Sequence, residues 1–332
     1  MDLSLDQDQE LIKGSVEKFI IETYDSESRR KTIKNNLGSD DNIWKQFAEL
    51  GWLGLPFSEK DGGFNGDLID LNIIMESFGR GLVIEPYIST VILSGSILSL
   101  CPDSAIRNKI INNIITGVNK VSFAYAEPHS RYNLNDVSTI AKLEDKQWVL
   151  NGHKSVVFGA GQSNYIIISA RTSGNRYDES GISLFIVERN NPGLEIQDYP
   201  TVDGFKAAEV KFNNLKISAD SLVSKENEAY KIMKMSRDKT LVAVAAEASG
   251  IMSKMYEMTL EYINEDAINN NPAIIFAEST DVREAPNLRS EISFMLHEGT
   301  KVQILERDVD WGLIEIANGK EGWIPLTDLK EL

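Results

Sequence analysis

Apolar positions at Ile12, Val16, Phe19 and Ile20 recur at three- and four-residue steps, the period of one face of a helix. This spacing predicts helices from Ser4 to about Ile115, opened by a Ser4–Gln7 capping box. The glycine-rich stretches Gly51–Phe57 and Gly62–Gly66 break them. From about Ser122 to Leu222 the signals become those of strands and hairpins. Trp148–Gly152 predicts a strand running into a tight turn, and Tyr165–Ser169 a buried strand. Ile182–Val187 and Ala208–Phe212 continue the set. Helix returns from Glu226 to about Ile263, and its run Leu241–Ala248, apolar all round, predicts burial. Asp266–Pro272 is polar, Asn-rich and ends in proline, which reads as a linker. Beyond it, Ile274–Phe276, Val302–Leu305, Leu313–Ile316 and Trp323–Ile324 alternate with Gly299, Gly312, Gly319 and Gly322. That pattern predicts a small all-β barrel.

Composition narrows the class. The chain has 332 residues, more than one average domain. It is 42% hydrophobic and 25% charged, which excludes a disordered or fibrous chain. Asp plus Glu number 50 against 34 Lys plus Arg, for a net charge of -16. Such a surface repels phosphate backbones, so no nucleic-acid partner is expected. One cysteine, Cys101, cannot close an internal disulfide, and three histidines without a Cys/His cluster give no metal pattern. The first residues, MDLSLDQDQE, are acidic where a signal peptide is basic, and no membrane-length apolar run follows. The expected location is cytoplasmic.

Several stretches carry a resemblance. Leu50–Pro56 followed by Asp61-Gly62-Gly63-Phe64 is similar to the loop between N-terminal helices of the acyl-CoA dehydrogenase family. Ala126-Glu127-Pro128 resembles that family's Thr-Glu-Pro motif, and Trp148–Lys154 (WVLNGHK) its Asn-Gly-x-Lys hairpin. Gly204–Ile217 resembles its last middle-domain strand. Tyr132, Asp136 and Thr201–Gly204 look closest to the pimeloyl-CoA dehydrogenase small-subunit branch. The tail resembles a bacterial SH3-like domain through Val282–Pro286, Gly299–Val302, Trp311 and Gly319–Ile324.

The resemblance implies an α+β multidomain chain. A helical N-terminal domain would cover 1–120, a β-barrel or sandwich middle domain 121–225, and the start of a truncated C-terminal helical domain 226–265. A linker, 266–272, and an SH3-like barrel, 273–332, would follow. It also implies FAD-dependent α,β-dehydrogenation of an acyl-CoA thioester, in which a carboxylate takes the α proton and the flavin the β hydride. The flavin contacts would be Phe123, Tyr125 and Ala126 on one side and Val156, Val157 and Phe158 on the other. Arg131 and Tyr132 are the candidate substrate contacts, Arg131 toward a phosphate.

Three departures bear on activity. Ala126 and Phe158 replace hydroxyl residues that would donate to the flavin. Asp266 stands where an arginine is expected, and the rest of the helical bundle, which would usually bring the catalytic glutamate, does not follow. The matching base position on the preceding helix is Thr240, so the catalytic residue is open, with Glu247 as candidate. Without the bundle, apolar positions on Leu241–Ala248 and near Trp52 and Leu55 are expected to face water, and the chain to form homo- or hetero-oligomers. The chain is therefore either an acyl-CoA dehydrogenase-like flavoprotein, as a small subunit, or a non-catalytic fusion or chimera. In the second case the SH3-like domain is an interaction module, with Trp311 and Trp323 either in its core or in a binding groove.

Overall fold

The computed structural model describes residues 4–24, 26–34, 38–269 and 271–332. They form two compact units, residues 1–253 and 254–332. In the first unit the helices are α1 (Gln7–Thr23), α2 (Ser26–Lys34), α3 (Asp41–Glu49) and α4 (Leu68–Gly81). A π-helical stretch, Ile88–Ser94, then runs into α5 (Gly95–Leu100), and α6 (Ala105–Ile115) follows. The capping box of α1 is Asp6 with Gln9 rather than Ser4 with Gln7. The spacing is the same, but an ionised carboxylate is the better acceptor at a helix N-terminus. Phe19, Phe47, Trp52 and Phe78 form the aromatic centre, with Phe47 and Phe78 stacked at 5.1 Å and Phe19 and Trp52 edge-on at 5.4 Å. Trp52 is buried and Leu55 half-buried, against the expectation that this loop faces water. Arg107 is the reason the loop folds inward. Its guanidinium bonds to both carboxylate oxygens of Asp61 and its Nε donates to the Leu98 carbonyl.

The middle sheet contains β1 (Val121–Ala124), β2 (Ile140–Glu144), β3 (Gln147–Phe158), β4 (Tyr165–Arg171), β5 (Ile182–Glu188), β6 (Leu194–Pro200) and β7 (Lys206–Ser218). Its order is β1-β4-β2-β3-β7-β6, with β5 on β4. Ile167 on β4 packs toward the helices, and Ile166 and Ile168 into the sheet's other core. Burial on both faces explains the unbroken Ile run. The Asn-Gly at 151–152 is not a turn, because β3 runs straight through it. The hairpin turn lies earlier, at Asp145 and Lys146, both at positive φ, as a two-residue turn of matching twist requires. Gly152 sits at a bulge, where a Cβ would meet the Thr139 Oγ1 at 2.4 Å.

Helix α7 (Ala229–Asn269) follows β7. It is fixed on α4 by two small residues, since a Cβ at Gly79 would meet the Glu247 carbonyl at 2.0 Å and one at Gly250 the Glu76 carbonyl at 1.9 Å. The run Leu241–Ala248 is not buried as its composition suggests. Only Ala243 is buried, while Leu241 is 58% exposed and Val242 and Val244 over 40%. One face of a helix has a partner here and the rest does not.

The second unit holds the end of α7 and seven strands: β8 (Pro272–Ile275), β9 (Ser279–Arg283), β10 (Ile292–His297), β11 (Lys301–Asp308), β12 (Trp311–Glu315), β13 (Glu321–Pro325) and β14 (Leu329–Glu331). They pair in the order β10-β9-β13-β12-β11-β8-β14. Its core is aliphatic, including Ile275, Val282, Val302, Ile304, Ile314 and Ile324. Of the expected linker, 266–269 are helical in backbone, residue 270 lies outside the described residues, and Pro272 opens β8.

Candidate functional site

Where β1 ends, the chain turns through Tyr125–Ser130, and the turn is held from below. Lys154 on β3 is fully buried, and its Nζ donates to the Glu127 Oε1 at 2.8 Å, the Ser169 Oγ at 3.1 Å and the Tyr125 carbonyl at 3.3 Å. Glu127 also accepts from the Ser138 and Thr139 backbone amides at 2.9 and 3.0 Å. Burial by itself raises the Glu127 carboxyl, but the charge and hydrogen bond of Lys154 outweigh it and hold the group below the usual range. A buried pair with its remaining valences satisfied is a fixed one. The Ser155 amide then donates to the Ala126 carbonyl at 2.9 Å, which ties β3 to the turn.

Just past that tie β3 bulges. Ser155 and Val156 have no partner on β7, and Val156 takes φ 53°, the left-handed region that a β-branched residue avoids. Strain of this kind persists where the surroundings enforce it. Here Ser155 Oγ donates to Glu209, which also meets His153 at 2.5 Å. The bulge turns Val156 and Phe158 outward, about half exposed, while Val157 drops into the sheet core. Phe123 is likewise buried, with its ring 5.3 Å from that of half-buried Tyr125. The expected contacts thus divide. Val156, Phe158, Tyr125 and Ala126 form an accessible shelf at the bulge, whereas Phe123 and Val157 support it from within. A half-exposed apolar shelf of this kind fits a flat heteroaromatic ring. No hydroxyl side chain stands at 126 or 158 to add a donor.

Phe158 also borders a cavity of about 320 Å³ between α4, the π-helical stretch, the 203–206 loop and α7. Its walls include Phe78, Ile88, Leu93, Phe205 and Val244, and Glu85 and Glu247 line it too. Burial pushes the Glu247 carboxyl up, and Asp203 nearby adds to this. Glu85 is a residue that the pattern reading passed over. Its signal was available, as the lone charge between Arg80 and Asp103. Thr240 donates its hydroxyl back to the Ser236 carbonyl at 2.8 Å and cannot serve as a base.

The other candidates lie apart from this cavity. Arg131, at φ 49°, and Tyr132, 89% exposed, stand on the outer side of the turn. His129 lies 3.5 Å from both Glu127 and Asp136. The side chain of Asp266 lies outside the described residues. Burial pushes the Cys101 thiol up to about 12, which leaves it unreactive. Among the described residues no group of His, Cys, Asp and Glu could hold a metal ion, and no helix is long and apolar enough to cross a membrane.

Comparison with known proteins agrees with this architecture. Residues 6–117 match the family model for the acyl-CoA dehydrogenase N-terminal domain, 122–215 that for its middle domain, and 278–330 that for a bacterial SH3 domain. An acryloyl-CoA reductase (NADH) of Anaerotignum propionicum is 25% identical over 271 residues, 80% of this chain and 68% of that protein. A short-chain-specific acyl-CoA dehydrogenase of Clostridium acetobutylicum is 24% identical over 277 residues, 80% of this chain and 70% of its own. The chain thus spans about two thirds of the length of these relatives. In fold it is similar to butyryl-CoA dehydrogenase from Megasphaera elsdenii, with a TM-score of 0.71 at 24% identity over 79% of this chain and 70% of that one. The FAD complex of PigA is another such structure, with a TM-score of 0.72 at 22% identity, over 79% and 70%. Through its helical and middle β domains the chain belongs to the acyl-CoA dehydrogenase family, and it carries a bacterial SH3 domain after them.

Proposed function

We propose that this chain is an acyl-CoA dehydrogenase-like flavoprotein that binds FAD on the Val156–Phe158 shelf and an acyl thioester in the adjoining cavity. The observation that carries this reading is the junction of the two, with Phe158 belonging to both. FAD, when bound, supplies the hydride acceptor. The chain's own part is to set Tyr125, Ala126 and Val156 against the ring and to shield it with Phe158. Arg131 and Tyr132, exposed on the outer side of the turn, are the proposed contacts for a phosphate or CoA moiety. The buried Lys154–Glu127 pair keeps turn and bulge in register, which is orientation rather than chemistry.

Turnover by the chain alone should be weak. General-base catalysis is worth about 10²- to 10⁴-fold, and Glu247 is the one carboxyl of α7 that lines the cavity. The uncovered face of α7 fits a member that works with a partner, as a small subunit would. The test is the visible absorbance of purified protein, then FAD titration, then reduction of an artificial acceptor with a short acyl-CoA. Flavin bound with little turnover supports the reading. No flavin uptake sinks it.

One observation favours a second role for the tail. On β12 and β13, Gly312, Ile314, Gly322 and Ile324 are buried, while Trp311, Leu313 and Trp323 are half-buried on the opposite face. The two tryptophans are outside the aliphatic core. Aromatic side chains so placed suit an interaction module, which operates whether or not FAD is held.

A further inference from the structure

The cavity beside the shelf is lined by more acids than cations. Glu85 is 3% exposed and lines the cavity, and its Oε2 has no hydrogen-bond partner. The carboxyl otherwise meets the Asp40 amide, in a long bond of 3.5 Å, and the Tyr24 hydroxyl, with the charge of Lys120 acting on it from outside the cavity lining. Glu247, on the α7 wall, has no hydrogen bond or ion pair among the described residues. Asp203 is a third acid on the rim, its carboxylate already taken by Thr201 and the Phe205 amide. Against these acids the lining offers one cation, Lys206, whose stem passes Gly38 at 3.4 Å. A purely hydrocarbon acyl chain would fill the apolar walls and leave the Glu85 oxygen orphaned, which is the costly outcome for a buried acceptor.

We propose that this cavity selects an acyl group bearing a basic nitrogen, with the ammonium bonding to the Glu85 carboxyl and Glu247 as second counter-charge. The substrate class is then an aminoacyl thioester, and the inference rests on the reading of this cavity as the acyl site. An ammonium has donors and no acceptors, so it answers an orphaned carboxylate oxygen where a hydroxyl answers it less well. Charge-assisted bonds are about twice as strong as neutral ones. Burial raises the Glu85 carboxyl, and a cation would restore its ionised form. By the same argument the cavity rejects an acyl group ending in a carboxylate, as a pimeloyl group does.

The test uses the full chain without FAD and three probes of one size: n-butylammonium, n-butanol and butyrate, titrated by calorimetry or ligand-observed NMR. The ammonium should bind at least ~10-fold more tightly than the alcohol, with butyrate weakest. Glu85→Gln should bring the ammonium to the alcohol's affinity, and Glu247→Gln should weaken it by less. Equal binding of ammonium and alcohol, tighter butyrate, or no binding of any probe overturns the proposal. So does an ammonium preference that survives in both variants. The wild-type ranking decides even if a variant fails to fold. Because FAD is absent, failure of the flavin reading shows in absorbance and leaves this ranking untouched.

Discussion

The corner beneath the shelf and the outer face of α7 solve opposite problems within one unit. At the corner, Lys154, Glu127, Ser169 and two backbone amides satisfy one another. On α7, Leu241 and Met252 are 58% and 63% exposed. Both belong to the neighbourhood of the proposed site. The chain therefore completes one wall of it from within and leaves the other wall bare. A buried ion pair is retained where backbone must be held in one place, whereas an exposed apolar stripe of this kind marks a contact not yet made.

The comparison is broken most directly at Lys154. Lys154→Met leaves Glu127 buried and unpaired, which should cost about 3–5 kcal/mol, read from urea unfolding of the full chain. Adding Glu127→Gln should recover part of that loss. If the single variant melts like the wild type, the corner is not a brace.

Next comes α7. Covering one exposed Leu or Val stabilises a contact by about 1.5–3 kcal/mol, so the wild type should self-associate or take up a partner. Leu241→Lys with Met252→Lys should shift it toward monomer in sedimentation. A monodisperse wild-type monomer would show that this face needs no cover.

A similar loss, about 1.5–3 kcal/mol, is expected for Asp61→Asn, because hydrogen bonding to Arg107 holds the Asp61 carboxyl below its usual range. The sign follows by linkage. A depressed folded value adds stability above the unfolded value, near pH 4, and loses it as pH falls through the folded one. Glu127 acts in the same direction. Acid unfolding of the wild type should begin below about pH 4, and Asp61→Asn should flatten that dependence.

The smallest effect is expected at the bulge. Val156→Gly removes left-handed strain worth about 1 kcal/mol, so stability should hold or rise slightly while FAD uptake weakens. Unchanged uptake would mean that the shelf is not the flavin's.

Much of this molecule was legible in the pattern. Helices, the strands Tyr165–Ser169 and Ile182–Val187, and the change of texture in the tail followed from side-chain period. The family was legible as a resemblance, because Ala126-Glu127-Pro128 and Asn151-Gly152-His153-Lys154 are contiguous motifs. Three differences between pattern and structure lie in tertiary contacts. Asn-Gly read as a turn because its local chemistry favours one, yet pairing with β7 and contact with Thr139 made it a bulge. Leu241–Ala248 reads as buried from composition and as exposed from the missing bundle, and the exposure of Leu241 and Val242 agrees with the second, because composition does not say whether a second layer exists. Trp52 read as exposed because the Arg107–Asp61 brace spans 46 positions.

The sequence by itself determined the order of domains, the period of each element and the identity of the motif residues, since these are properties of neighbours along the chain. Only the tertiary structure decided that Lys154 pairs with Glu127, that Val156 turns outward while Val157 turns in, and that Glu85 and Glu247 line one cavity. Those facts depend on which distant segments meet. Packing and charge satisfaction settle that jointly, and no window of local sequence contains both partners.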